Sequence, residues 1–407
     1  MKGWGAIGAA IVGTVVGYSS TVRLGVESFV ELYRDSLQGK RLALLTHAAA
    51  RLPDGRLSLE VLKENFRIVA VWAPEHGFWG TFPAGESVPD EQIAGIPVFS
   101  LYGARRRPPA ELFRAVDAVV VELQDIGIRP YTYLSTLVMV MAACAEFGVP
   151  VYVLDRPNPL GGTTVEGAVL DTALRSFVGM LPIPYRHGCT FGELARMANE
   201  QGWLPPSSDG RVGRCSLTVV PLRGWRRTMV WEETGLPWFP PSPNIPTPTA
   251  ARAAGITGIF GEMGLWYIGI GGTTPFQILG APQFPAERIA AELRSVLLSL
   301  GVRVGAIRFV PRTGQYARQE CEGLFFYPEA RHDARFFEAF TVIAPIVLRS
   351  IPDRCQRVNA QRWEMVQKVV GDREFALALC RGEGLAPWVN RGVEEFQKIR
   401  QRYLLYP

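Results

Sequence analysis

Between residues 41 and 154, short apolar runs alternate with longer stretches whose apolar residues recur at helical spacing. Arg41 to Leu45, Arg67 to Trp72, Pro97 to Leu101, Asp117 to Leu123 and Val149 to Leu154 are nearly continuous in apolar residues. That is the pattern of strands buried on both faces of a parallel sheet. Gly25 to Gln38, Leu57 to Asn65 and Tyr131 to Phe147 read as helices around them, by their three-to-four residue period. Thr190 with Glu193 three positions on forms a capping box that opens a further helix, and Leu217 to Pro221 is another strand. Strands alternating with helices imply right-handed βαβ units and a Rossmann-like parallel sheet.

The proline-rich run Pro237 to Pro246 can be neither helix nor central strand. The domain boundary is placed just after it. Residues 22–250 are expected to form the Rossmann-like α/β domain, and residues 251–407 a smaller α/β C-terminal domain that closes a cleft. In the second part, helices are expected over Pro285 to Leu300 and Ala334 to Arg349, and strands over Arg303 to Val310 and Cys321 to Tyr327. A charged amphipathic helix over Val393 to Tyr406 completes it.

The polar residues gather where the strands end. The second strand runs into Pro74-Glu75-His76-Gly77, and the other ends carry Thr46-His47, Tyr102, Gln124-Asp125 and Asp155-Arg156-Pro157-Asn158. In an open α/β sheet, ligands sit outside the carboxyl ends of the strands. Any one of these residues could cap a helix or a turn, but five strands ending alike point to a site. Glu75, set among Trp72, Phe78 and Trp79, is the candidate proton donor, since an apolar surround suits a carboxyl for that task. Glu86, Asp125 and Glu166 are candidates for a second carboxylate. Arg129, Arg156 and Arg186 could each grip an anionic group with a planar fork. Trp72, Trp79, Tyr102, Tyr131 and Tyr133 could stack on a sugar ring or simply pack in the core.

Composition narrows the function classes. The chain has 407 residues, is 48% hydrophobic and 20% charged, and carries a net charge of +5 spread along its length. A nucleic-acid binder would concentrate that charge, so no nucleic-acid partner is expected. The first strand is not followed by Gly-x-Gly-x-x-Gly, which argues against a dinucleotide, and no other cofactor is expected. His47, His76 and His187 have the residue type for a metal site but not its spacing, so a metal-dependent hydrolase is an alternative and not the leading reading. Six widely separated cysteines give no disulfide framework. Residues 1–21, with Lys2 before an uncharged apolar stretch, have the outline of a secretory leader. Export, with possible tethering to a membrane, is the expectation.

Taken in order, these motifs resemble the exo-β-N-acetylmuramidases of the NamZ type. The resemblance rests on Pro74-Glu75-His76-Gly77, Ala84-Gly85-Glu86, Phe99-Ser100-Leu101-Tyr102-Gly103 and Gln124-Asp125-Ile126-Gly127-Ile128-Arg129-Pro130-Tyr131-Thr132-Tyr133. It continues through Leu154-Asp155-Arg156-Pro157-Asn158-Pro159, Val165-Glu166-Gly167, Pro182 to Gly188, Pro241-Ser242-Pro243-Asn244 and Tyr403 to Tyr406. It implies removal of N-acetylmuramic acid from the non-reducing ends of peptidoglycan fragments, in cell-wall turnover outside the cytoplasm. Glu75 matches the family's catalytic glutamate, with Glu166 or Asp125 as the second group. His76, Glu86, Arg129, Tyr131, Asp155, Arg156, Asn158, Arg186, His187 and Asn244 would hold the muramyl saccharide. One stretch departs: where the family reads Gly-Arg-Gly-Thr-Thr-Arg-Pro-Phe-Glu, this chain has Gly269-Ile270-Gly271-Gly272-Thr273-Thr274-Pro275-Phe276-Gln277. Two arginines and a carboxylate are absent, which keeps a non-catalytic sugar-binding protein as a further alternative.

Overall fold

The computed structural model describes residues 22–407 except Pro352, and the leader-like stretch 1–21 lies outside the described residues. Seven strands make the larger sheet: β1 (Arg41–Thr46), β2 (Arg67–Ala73), β3 (Glu91–Ile93), β4 (Ile96–Ser100), β5 (Ala118–Glu122), β6 (Val151–Leu154) and β7 (Leu217–Val220). Their order is β3-β4-β2-β1-β5-β6-β7. β3 pairs antiparallel with β4, and every other pairing is parallel.

The apolar runs are unbroken because both sheet faces are covered. Leu42, Leu44, Val71 and Val120 point to the face packed by α1 (Gly25–Tyr33) and α2 (Ser58–Asn65). Ala43, Leu45, Trp72 and Val121 point to the other, under α3 (Tyr133–Phe147) and α4 (Phe191–Glu200). Strand side chains alternate between faces, so covering both demands an apolar residue at every position. The capping box of α4 forms as expected: Thr190 Oγ1 accepts the Glu193 N–H, and the Glu193 carboxylate accepts the Thr190 N–H. From β1 the chain proceeds through β2 and β4 to one side, then through β5, β6 and β7 to the other. The reversal at β1 and β5 is the switch point where a crevice opens.

The C-terminal part has an antiparallel sheet in the order β8-β10-β9, from β8 (Ile278–Ala281), β9 (Val302–Phe309) and β10 (Cys321–Pro328). Around it pack α5 (Pro248–Met263), α6 (Ala286–Ser299), α7 (Phe336–Leu348), the short α8 (Arg354–Arg357), α9 (Ala360–Val370), α10 (Arg373–Arg381) and α11 (Val393–Arg400). Its core runs on into the first part: Ile126, Ile128, Leu160 and Tyr185 join Phe260, Phe336 and Phe340 in one apolar cluster.

Several details differ from expectation. The boundary expected between residues 250 and 251 falls in the first turn of α5, where Thr247 caps the helix and Pro248 opens it. Proline suits that position because the missing N–H has no helical acceptor there. The last helix stops at Arg400. Beyond it the tail is held by burial: Tyr406 donates to the Asp155 carboxylate and accepts the Leu222 N–H at 3.0 Å. The cysteines do contain one pair, Cys355 with Cys380, their Cα atoms 5.3 Å apart. Tertiary packing of α8 against α10 brings the two together, so nothing in their spacing could announce it.

Candidate functional site

Pro74 ends the β2 ladder, and the chain then turns back through His76 and Gly77, both at positive φ (72° and 74°). A non-glycine residue in that conformation costs of order 1 kcal/mol, and here it accompanies a side chain that faces a cleft. The turn leaves Glu75 only 6% exposed. One carboxylate oxygen accepts the Gly85 N–H at 2.8 Å, and the other accepts the Thr132 hydroxyl. Tyr102, from the end of β4, also hydrogen-bonds the carboxylate; burial and then the Glu75 charge raise its phenol above the ordinary value. Tyr133 anchors the turn from above, donating to the Pro241 carbonyl at 2.6 Å beside the Glu75 carbonyl. Hydroxyls can donate or accept, so Thr132 and Tyr102 can hold Glu75 both as carboxylate and as acid.

His76 Nδ1 lies 2.7 Å from the Phe82 carbonyl. A carbonyl only accepts, so Nδ1 carries the hydrogen and Nε2 of the neutral ring is the free acceptor. Both residues border a cleft of about 780 Å³, within the usual range for a small-molecule site. Tyr131 and Asn244 continue its lining. Glu262, Ile270 and Arg362 close it from the C-terminal part.

Behind this wall lies a buried polar layer. His187 is fully buried and accepts the Cys189 N–H on Nδ1 at 3.2 Å; its Nε2 lies 3.3 Å from an Asp125 oxygen without a hydrogen bond between them. Asp125 accepts the Gly127 N–H at 3.0 Å, while its Oδ1 is buried without a partner. Burial, reinforced by Tyr133 and by the charges of Asp125 and Glu75, raises the Tyr131 phenol. His47 accepts the Gln124 N–H on Nε2 at 3.0 Å. Burial, with Arg156 next in effect, pushes its ring down to about 3.

His47 has a measurable consequence. Its unfolded value is about 6.5, so the unfolded chain takes up a proton that the native protein refuses until about pH 3. The contribution to stability is complete above pH 6.5 and is lost as pH falls toward 3, a few kcal/mol in all. His47→Gln is expected to flatten thermal stability over that window, measured by melts from pH 7 to pH 3. Comparison with the parent isolates His47 from buried Asp155 and Glu122, whose carboxyls are raised by burial and act in the opposite sense.

The structure separates the remaining sequence candidates from the cleft. Glu166 is fully buried, pairs with Arg186 at 3.2 Å, and accepts the Phe336 and Glu338 N–H groups at the start of α7. Its carboxylate caps a helix and faces no cleft, contrary to its expected catalytic place. Arg186 also donates to the Ala334 and Leu160 carbonyls, while its Nε is buried without a partner. Arg156 pairs with Glu122 at 2.7 Å and bonds Gln124. Arg129 has no acidic partner among the described residues and donates to the carbonyls of Ala168, Ile183, Val369 and Val370; burial pushes it down to about 10. None of the three arginines is available to a substrate carboxylate.

Asp155 is fully buried under Thr190, Gly192 and Tyr406. Asn158 bonds the Cys189 carbonyl and the Leu160 N–H. Both shape the strand-end loops. Glu86 is exposed on the loop whose Gly85 reaches Glu75. Trp72 and Tyr133 belong to the core, and Trp79 is half exposed. His47, His76 and His187 do not converge: among the described residues, no three His, Cys, Asp or Glu side chains could share a metal ion. Of the divergent stretch, Ile270 borders the cleft, whereas Gln277 turns inward and bonds the Phe326 carbonyl. Sequence reasoning did not reach Thr132 as a hydrogen-bond partner, nor Glu262 and Arg362. The last two come from the end of α5 and the first turn of α9, where no local pattern marks them.

A mostly parallel sheet with a carboxylate past the C-terminal end of one strand, beside a cleft closed by a smaller α/β part, defines a two-part α/β protein with its candidate site between the parts. The chain belongs to the NamZ exo-β-N-acetylmuramidase family: residues 42–249 match the model of its N-terminal domain and residues 256–406 that of its C-terminal domain. It is 31% identical over 392 residues to the peptidoglycan β-N-acetylmuramidase NamZ of Bacillus subtilis strain 168, covering 95% of this chain and 91% of that protein. Two crystal structures of DUF1343 family proteins from Bacteroides fragilis are similar. One superposes with a TM-score of 0.85 at 33% identity, the other with 0.72 at 29% identity, each over 95% of this chain and 99% of its own.

Proposed function

We propose that the protein is an exo-acting β-N-acetylmuramidase that releases N-acetylmuramic acid from the non-reducing ends of peptidoglycan fragments. The observation that carries this is Glu75, held by Gly85, Thr132 and Tyr102 in a cleft whose lining joins tyrosines and apolar groups to a few polar side chains, His76 and Asn244 among them. In this reading Glu75 protonates the glycosidic oxygen as the bond to the sugar breaks, and the sugar passes through an oxocarbenium-like transition state. Asp125, fixed by the Gly127 N–H and lying beside His187, supplies the negative charge that steadies the cation from behind Tyr131. His76 Nε2 and Asn244 accept from and donate to the sugar's polar groups.

Export of the protein is part of the same proposal. The leader-like residues 1–21 favour it, and so does the Cys355–Cys380 pair, since disulfides persist in oxidising compartments.

The test is a pair of chromogenic substrates, a β-N-acetylmuramide and the matching β-N-acetylglucosaminide, assayed with the purified protein. Release from the muramide in excess over the glucosaminide is the expected result. Release from neither, with saccharide binding retained, would turn the reading to a non-catalytic sugar-binding protein.

A further inference from the structure

The muramidase reading requires the cleft to recognise an anion, because muramic acid differs from glucosamine by a lactyl ether bearing a carboxylate. Arg129, Arg156 and Arg186 are buried and committed to carbonyls and carboxylates of the protein itself. Among the residues that line the cleft, a single lysine or arginine is present, Arg362.

Arg362 is exposed, yet its guanidinium is held in place. It rests against Gly264, the left-handed C-cap of α5, where a Cβ would come within 2.3 Å of the Arg362 Cζ. Glycine suits this position through its positive φ of 66° and leaves the guanidinium room to lie there. One N–H of Nη1 donates to the Glu262 carbonyl at 3.2 Å. No other guanidinium N–H of Arg362 is paired within the protein among the described residues, so most of the fork is free for a ligand.

The helix that presents it is fixed at both ends. Asn359 caps the first turn of α9 by accepting the Arg362 N–H at 2.9 Å. Trp363 donates to the Cys355 carbonyl at 3.0 Å, and Cys355 is tied to Cys380 on α10. At the far end, Arg129 grips the Val369 and Val370 carbonyls. A preorganised guanidinium loses little freedom on binding, which is what a selective carboxylate contact needs.

Glu262 lines the same cleft and is the acidic neighbour of this charge. Burial raises the Glu262 carboxyl above its ordinary value, an effect that the Arg362 charge opposes. On the other flank the cleft presents Ile270, an apolar side chain that competes for no anion.

We infer that Arg362 is the specificity-determining residue of the cleft and binds the lactyl carboxylate of the muramyl sugar. This rests on the muramidase reading for the identity of the ligand, but binding and hydrolysis test the two separately. The experiment is calorimetric titration of the full chain and of Arg362→Ala and Arg362→Lys with three sugars: N-acetylmuramic acid, its lactyl methyl ester and N-acetylglucosamine. The parent is expected to prefer the free acid over the ester by on the order of tenfold, the worth of one partly exposed charge-assisted contact. That preference should fall toward unity in Arg362→Ala. Arg362→Lys should recover it only in part, because an ammonium keeps the charge and loses the fork.

A parent that binds the acid no better than the ester, or an Arg362→Ala protein that keeps the preference, would overturn the inference. The chromogenic assay is run alongside. Failure to hydrolyse the muramide while Arg362-dependent binding persists would overturn the enzymatic reading and leave the carboxylate site standing.

Discussion

Glu75→Gln is expected to lower kcat on a chromogenic β-N-acetylmuramide by roughly 10²- to 10⁴-fold, the usual contribution of a general acid. The amide is isosteric and can keep the existing contacts. Its oxygen can accept the Gly85 N–H, and its NH₂ can donate to the Thr132 hydroxyl, which now accepts. Folding should therefore be preserved, with thermal stability close to that of the parent. The diagnostic readout is the dependence on the leaving group. A proton donor matters most when the departing oxygen is basic, so the loss should be largest for poor leaving groups and shrink for strongly acidic phenols. KM should change little, because the substitution leaves the cleft lining in place. A variant retaining full activity on every aglycone would remove Glu75 from the chemistry.

The second large effect concerns stability. Arg129→Met is expected to cost about 3–5 kcal/mol, because buried carbonyls left without a donor cost about 1–3 kcal/mol each and losing the buried charge offsets only part of that. Arg129 is 1% exposed and ties together three distant segments through the carbonyls of Ala168, Ile183, Val369 and Val370. Methionine fills much of the volume and removes the donor from the Ala168, Val369 and Val370 carbonyls, while Ile183 keeps the Leu170 N–H at 3.2 Å; unsatisfied buried polar groups are expensive. The melting temperature should drop by roughly 4–6 °C, at about 1.2 °C per kcal/mol for a chain of this size. Activity of the surviving folded fraction should persist at low temperature. A substrate-binding arginine would behave in the reverse way, losing KM with an unchanged melt, so the two measurements together decide the role. Arg129→Lys should fall between, since one ammonium cannot reach four carbonyls in two directions.

These two residues show where local reading works. Glu75 is legible because a strand buried on both faces must be apolar throughout, and Glu75 stands two residues after such a run, past a proline that stops the ladder. The same logic located β1, β2, β4, β5 and β6, and the capping box located the start of α4. Arg129 is illegible by that logic. A charged residue beside a strand end looks the same whether it meets a ligand or four carbonyls from elsewhere in the chain. The carbonyls of Val369 and Val370 lie some 240 positions away, and no local pattern reports them.

Glu166 failed for the same cause. A glutamate in a glycine-bounded turn could serve a cleft, and only the docking of α7 reveals that it caps that helix. Helix α5 escaped notice because alanine, glycine and isoleucine are buried nearly all round it, which erases the amphipathic period that marks a surface helix.

Sequence alone determined the α/β class, the parallel sheet, the placement of Glu75 just past a strand end and the family resemblance. Each of these follows from residue order over a few positions, where burial pattern and turn chemistry are encoded directly. Tertiary structure decided which charged groups are spent on the protein and which remain for a ligand. It buried Arg129, Arg156, Arg186 and Glu166 in partnerships made across long loops, paired Cys355 with Cys380, and brought Arg362 from α9 to the cleft that Glu75 faces. The reason is physical: a charge takes its role from the partners within a few ångströms of it, and in this protein those partners come from distant parts of the chain.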